Sequence, residues 1–256
     1  MTWKKILSWG VFFILVLALP STPKTLADNT ATCNLSQDKF DAIKSIEHNF
    51  SLGDLERIKE ELAIRKQLIA ETIGCAISEA QGAKSEIDGI NSNDPDTQKL
   101  KSQYSDQLDG VISYYNLQAS KINDLGLQGS KNFAANLGSW RKTNYEPLAK
   151  NADNLVMWSQ NQELIQIAQT RLNQLRQTVT LLNIVDNGTV QDLWQKANSN
   201  WNDATVWNQA AKESLQTFGS PDETLNSIKS SLASLSDVYQ NFLDLLSAMG
   251  KNSSPQ

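Results

Sequence analysis

An all-α fold, an elongated antiparallel helix bundle with coiled-coil-like heptad packing and no sheet, is what this sequence of 256 residues predicts. Three observations carry that expectation. Apolar side chains return every three or four positions over long stretches, short polar turns rich in Gly, Asn, Asp and Pro separate those stretches, and no run alternates with the two-residue period of a strand. With 40% hydrophobic and 20% charged residues, the chain has enough apolar content for a core and is not a disordered one.

Residues 1–27 read as a secretory signal: Lys4 and Lys5, the apolar run Ile6 to Leu19, then Pro20 and a Thr25-Leu26-Ala27 end. The run is about 14 residues, short of the roughly 20 that span a bilayer, so cleavage before Asp28 is expected. The alternative is anchoring by an uncleaved N-terminal segment. Cleavage removes three lysines and no acid, moving the formal charge from −5 to −8. An acidic chain without a basic patch among aromatics excludes a nucleic-acid partner. The expected product is secreted, extracellular or periplasmic, with no stable transmembrane anchor after cleavage. Residues 28–250 form one elongated domain, with a division near 126–147 as the alternative and 251–256 as a disordered tail.

The first helix follows Ser36, an N-cap, with Phe40, Ile43, Ile46 and Phe50 at helical spacing. Ser51-Leu52-Gly53 turns the chain into a long second helix whose expected buried face is Leu55, Ile58, Leu62, Ile69, Ile73, Ala76, Ala80, Ala83, Ile87 and Ile90. If the two pack as an antiparallel hairpin, Cys33 and Cys75 each lie roughly 31 Å from the turn, at 1.5 Å per helical and about 3.3 Å per extended residue. Two cysteines in an exported chain, brought level, predict a Cys33 to Cys75 disulfide. Closing a loop of about 43 residues restricts the unfolded chain by roughly 4 kcal/mol in the loop-entropy model.

A turn over Asn91 to Asp96 ends in an Asp N-cap with Pro95 at the first helical position, and Leu100, Tyr104, Leu108, Val111, Tyr115, Ile122 and Leu125 stripe the third helix as far as Gly126 and Gly129. Ser130 caps a shorter helix with Phe133, Leu137 and Trp140. Pro147, which lacks a donor, predicts a boundary or kink. Trp158, Asn161, Ile165, Ala168, Leu172, Leu175, Val179 and Leu182 then step through more than three heptads. After Asp186-Asn187-Gly188, the next helix carries Val190, Trp194, Ala197, Trp201, Ala204, Asn208, Ala211, Leu215 and Phe218. Ser220-Pro221-Asp222-Glu223 is a capping box, opening a last helix with Leu225, Ile228, Leu232, Leu235, Tyr239, Phe242, Leu246 and Met249 before Gly250.

Chemistry-bearing residues are sparse. His48 is the single histidine, placed in the last turn of the first helix, where an imidazolium favours the helix dipole. One His and two bonded Cys leave no N/S zinc site, no catalytic set and no cofactor motif, so catalytic, metal and cofactor residues are all expected to be none. Glu56, Glu60 and Glu61 alternate with Arg57, Lys59, Arg65 and Lys66 and read as a solvated helix face. The turn from Asp88 to Asp96 has Lys99 where a calcium loop needs its bidentate Glu. Asn161 and Asn208 fall at seam positions, where a buried amide fixes register.

The candidate binding surface is Trp140, Arg141, Tyr145, Trp158 and Asn161, from the least regular stretch, Leu125 to Gln162, together with Trp207. Trp194 and Trp201 face one way, and Trp207 lies about 120° off that stripe. The function expected is a non-enzymatic binding, scaffolding or interaction module of the cell envelope or exterior, with a protein or envelope-polymer partner and no assigned oligomeric state. The alternatives are a membrane-active helical protein and a protein that binds or hydrolyses wall polysaccharide through the Trp140 to Trp158 region.

Overall fold

A computed structural model describes residues 37–47, 53–181 and 188–252. Cys33, His48, Phe50, the leader and residues 253–256 of the expected tail lie outside that range. Among the described residues there are seven α-helices and no strand: α1 Gln37–Glu47, α2 Asp54–Asp88, α3 Pro95–Ala119, α4 Leu127–Trp140, α5 Glu146–Leu181, α6 Gly188–Gln216 and α7 Pro221–Asn252. A 3-10 turn, Ile122–Asp124, precedes α4, and a π-helical turn, Arg141–Tyr145, joins α4 to α5. The all-α bundle is therefore what the heptad pattern makes. Gly250 does not stop α7, which continues through it to Asn252.

The α3 start is built as its sequence dictates. The Asp94 carboxylate accepts the Thr97 N–H and the Thr97 hydroxyl, both at 2.8 Å, and Pro95 occupies the first turn. Those Thr97 bonds, the backbone one first, hold the Asp94 carboxyl below its ordinary range. Asp94→Ala is expected to cost about 1 kcal/mol in urea denaturation at neutral pH. Because a depressed carboxyl contributes stability above its unfolded pKa and loses it as pH falls through the folded one, the difference from wild type should shrink on acidification.

The other starts depart from expectation. Ser130 caps nothing: α4 begins three residues earlier, behind an extended Gly126, and the buried Ser130 hydroxyl donates to the Leu127 carbonyl at 2.7 Å. Gly129 lies inside that helix. Pro147 breaks nothing either, because the backbone at Trp140, Arg141 and Glu146 is helical throughout. The Glu146 N–H reaches back five residues to the Arg141 carbonyl, and the Asn144 side chain donates to the Trp140 carbonyl at 3.1 Å. The widened turn carries the helix past a proline ring that would collide with an α-helical carbonyl. From Leu127 to Leu181 the helix is unbroken, about 80 Å at 1.5 Å per residue.

Two three-helix sets share that rod. Below, α2 runs parallel to α4 and the first half of α5, and α3 returns between them. The order is visible in Lys131 to Glu61 at 3.2 Å, Arg141 to Glu79 at 2.7 Å, and Lys66 to the Asn123 carbonyl at 2.7 Å. Ile73, Ala76, Ala80 and Ile87 of α2 meet Leu100, Tyr104, Leu108 and Tyr115 of α3 and Leu155 and Trp158 of α5 in one core. Above, α6 descends and α7 ascends along the second half of α5, burying Ile165, Ala168, Leu172, Ala197, Ala204, Leu235, Val238 and Phe242. Each aliphatic side chain so enclosed is worth roughly 1.5–3 kcal/mol against exposure.

At the ends the pattern overreaches. Leu55 and Ile58, expected in the α2 face, are 66% and 44% exposed, because α4 reaches α2 only near Glu61. Phe40 is likewise exposed while Ile43 is buried. Glu61 is not on a solvated face: it is buried and paired to Arg65 at 2.7 Å and to Lys131. Burial disfavours its charge, yet the two cations outweigh that and lower its pKa. In α7 the buried line is Thr224, Ile228, Ser231, Leu235, Val238, Phe242 and Leu245, so Leu232 and Tyr239 fall outside it.

Candidate functional site

The π turn is the one irregularity along the rod, and it faces α2 across a groove of about 290 Å³. From α2 come Ser78, Glu79, Gly82, Ala83 and Glu86. From the other wall come Arg141 and Tyr145 of the π turn and Glu146, Ala149, Lys150 and Asp153 of α5. Glu79 and Glu86 are seven residues apart, as are Glu146 and Asp153, so each wall presents a two-turn row of carboxylates. Small residues keep the floor open, and a Cβ at Gly82 would meet nothing within 4 Å.

Arg141 is the centre of the arrangement. Its guanidinium bonds Glu79 at 2.7 Å, approaches Glu146 at 3.5 Å and lies 5.1 Å from the centre of the Tyr145 ring. Burial works against the charge, but the Glu79 hydrogen bond and carboxylate outweigh it and hold the guanidinium still more firmly charged. Beneath it, Tyr145 meets Tyr115 edge to face at 6.3 Å, Tyr115 meets Trp140 at 5.4 Å, and Trp140 stacks on Tyr114 at 3.7 Å. This aromatic layer fixes the π turn from α3, and burial pushes the Tyr145 and Tyr115 phenols up from their ordinary range.

Asp153 stands at the groove mouth. Loss of water to the surrounding walls, with repulsion from Glu86, pushes its carboxyl up to about 6. A raised carboxyl means that the folded chain holds the proton more tightly than the unfolded one. Its ionisation therefore opposes folding above pH about 6, and that penalty disappears as pH falls toward the ordinary carboxylate range. Asp153→Asn is expected to raise the melting temperature slightly at pH 7.5 and to change little near pH 4. The gain is a fraction of a kcal/mol, because the group remains open to solvent.

The structure divides the six sequence-predicted residues. Trp140, Arg141 and Tyr145 come together at the π turn, with Tyr145 buried and Trp140 half-buried under Tyr114, so Arg141 supplies the accessible edge. Trp158 and Asn161 are 0% and 1% exposed at the α5–α6–α7 seam and are no part of a surface. The Trp158 indole N–H donates to the Asn208 carbonyl at 3.0 Å, and Asn161 donates to Asn208 Oδ1 at 2.9 Å and to Ser231 Oγ at 2.8 Å. Asn161 and Asn208 thus meet, as their seam positions predict. Trp207 lies on the outer side of α6 at 45% exposure, apart from the π turn, whereas Trp194 and Trp201 pack against the upper core.

Sequence reasoning missed Glu79, Glu86, Glu146, Lys150 and Asp153. Their signal was the seven-residue spacing of acids on two helices, but which helices face each other is a tertiary fact. Among the described residues no group of three or more His, Cys, Asp or Glu is placed to hold a metal ion. The acids of the Asp88 to Asp96 turn are otherwise engaged, Asp94 as a cap and Asp96 with Lys212. The groove offers four carboxylates against two cations, with Arg141 already held, an arrangement suited to receiving a basic group. No helix among the described residues is long and apolar enough to cross a membrane. Compared with protein-family models, curated proteins and solved structures, the chain matches none.

Proposed function

We propose that this chain is exported and serves as a non-enzymatic binding or scaffolding module of the cell envelope or exterior, taking a basic segment of a partner into the groove beside the π turn. The observation that carries the reading is the groove itself: two rows of acids on rigid helices, open to solvent, around an arginine that Glu79 and Glu146 already neutralise. Sites on packed helices hold their geometry before binding, which lowers the ordering cost of recognition. The partner is a protein or an envelope polymer bearing amines.

Export agrees with the leader-like residues 1–27 and with a Cys33 to Cys75 disulfide. Register agrees with that bond: Lys39 pairs with Glu71, Cys75 lies one helical turn beyond Glu71, and Cys33 precedes Lys39 by six residues in the sequence. Intact mass before and after reduction and alkylation should show one bridge, and N-terminal sequencing of the exported protein should begin at Asp28.

Binding is tested by retention on the insoluble envelope fraction of the producing cells. Wild type should be retained and released by salt. Glu86→Lys with Asp153→Lys, which reverses the groove rim and leaves the aromatic layer intact, should wash through; equal retention of both forms refutes the groove.

A further inference from the structure

The two walls of the groove beside the π turn repeat themselves. Glu79 and Glu86 on α2, and Glu146 and Asp153 on α5, are each seven residues apart on helices that run parallel there, so the four acids form two rungs about 10 Å apart at 1.5 Å per residue. The first rung, Glu79 with Glu146, is filled: the Arg141 guanidinium bonds Glu79 at 2.7 Å and approaches Glu146 at 3.5 Å. The second rung, Glu86 with Asp153, spans the same groove, with Glu86 close enough to repel the Asp153 carboxylate. Among the described residues neither acid of that rung pairs with a cation, and Lys150 at the rim joins no ion pair.

Two further observations, independent of the acids, point to an occupant. Tyr145 is only 3% exposed, yet it lines the groove, and its hydroxyl has no hydrogen-bond partner among the described residues. Arg141 lies 5.1 Å from the centre of its ring, and the charges of Glu79 and Asp153, one from each rung, both bear on the phenol. Buried polar groups in folded proteins find partners, so an unpartnered phenol at the wall of a cavity is ready to accept a hydrogen bond. The second observation is Gly82, which falls between Glu79 and Glu86 in the middle of α2, where glycine weakens a helix. Nothing in the chain takes up the room it leaves: a Cβ there would meet no atom within 4 Å.

The first rung shows which group this space takes. A guanidinium already stands between a carboxylate of α2 and one of α5, and the second pair repeats the first on the same two helices. Its planar fork carries five N–H donors, enough for two carboxylates and a phenol oxygen together. An ammonium is a more compact and more strongly hydrated point charge with three.

Resting on the groove reading above, we propose that the Glu86–Asp153 rung receives the guanidinium of an arginine side chain of the partner, which also donates to the Tyr145 hydroxyl and lays its aliphatic stem over Gly82, Ala83 and Ala149.

The test is a nuclear magnetic resonance titration of the full exported chain with N-acetyl-arginine amide and, separately, with N-acetyl-lysine amide, at neutral pH and low salt. The arginine amide should shift the backbone amides of Gly82, Ala83 and Ala149 and saturate in the millimolar range, and the lysine amide should bind roughly 5-fold or more weakly. Glu86→Gln with Asp153→Asn should weaken the arginine complex by roughly 10-fold. Tyr145→Phe keeps the ring and should lower the arginine affinity while leaving the lysine affinity unchanged. Gly82→Leu fills the floor without altering any charge and should abolish the preference for arginine, which a diffuse attraction to acids would not require. Circular dichroism should be the same for every form. Equal binding of the two amides, or an arginine complex indifferent to the Glu86 and Asp153 exchange or to Gly82→Leu, overturns the proposal. Should envelope retention still depend on the groove in that event, the groove reading stands and the arginine assignment alone fails. Arginine selectivity without groove-dependent retention supports the rung and removes the envelope partner.

Discussion

Trp158→Ala is expected to lose about 3–5 kcal/mol of unfolding free energy, the largest single-residue effect in this molecule. Trp158 is wholly enclosed where the lower and upper helix sets meet, and its indole N–H donates to the Asn208 carbonyl at 3.0 Å. Alanine leaves a void that Leu155 of the same helix and Ala211 and Leu215 of α6, in the same core, are too constrained to fill, and it removes the bond. Trp158→Phe keeps most of the volume and loses the donor, so an intermediate loss is expected. Urea midpoints at constant slope measure both. A loss below about 1 kcal/mol for the alanine form would mean that the site is not the closed junction described here.

Asn161→Ala is expected to cost about 2–3 kcal/mol, by leaving Asn208 Oδ1 and Ser231 Oγ buried without their donor. Replacing Asn161 and Asn208 together by Leu should recover much of that loss, because the Asn161 Oδ1 has no hydrogen-bond partner and its desolvation opposes folding. The seam would nevertheless lose a device that fixes register. Asn151 donates to the Gly219 carbonyl at 2.9 Å, Asn154 to the Pro221 carbonyl at 2.8 Å, and Tyr104 to the Leu215 carbonyl at 3.0 Å, so amides and a phenol seat the α6–α7 hairpin tip at one height on the rod. A double-mutant cycle over Asn161 and Asn208, read in urea, should give a coupling of about 1–2 kcal/mol; additivity would show that the two amides act separately.

That turn also explains an unusual backbone. Phe218 holds the left-handed position that closes α6, with Gly219 donating to the Ser214 carbonyl at 2.8 Å. Glycine is usual there, but the Phe218 ring lies 4.9 Å from Tyr104 and ties the hairpin tip to α3. A Cβ at Gly219 would come within 2.6 Å of Ser214 Oγ, so a larger residue there would have to displace that hydroxyl from its contact with Thr224.

Helix type and order were legible because long three-and-four stepping has one reading. Which of two adjacent positions turns inward was not. In α7, Thr224, Ser231, Val238 and Leu245 pack inward, whereas hydrophobicity favours Leu225, Leu232, Tyr239 and Leu246. Hydroxyl partners break the tie: Thr224 meets Ser214 at 2.6 Å, and Ser231 both receives from Asn161 and donates to the Ala204 carbonyl at 2.7 Å. The π turn was hidden for a different reason. Proline signals a break, and nothing in Arg141 to Tyr145 announces a wider turn that avoids one. The groove acids lie on two helices far apart in the chain, and only the packing of α2 beside α5 makes them one site.

The account rests on one continuous rod from Leu127 to Leu181, to which both helix sets are fastened. Spin labels at Asn136→Cys and Gln169→Cys, both exposed positions, read it most directly by double electron–electron resonance. A single narrow distance of about 50 Å, from 1.5 Å per residue, is the predicted result. A markedly shorter or broad distribution, as a hinge at Pro147 would give, would contradict it.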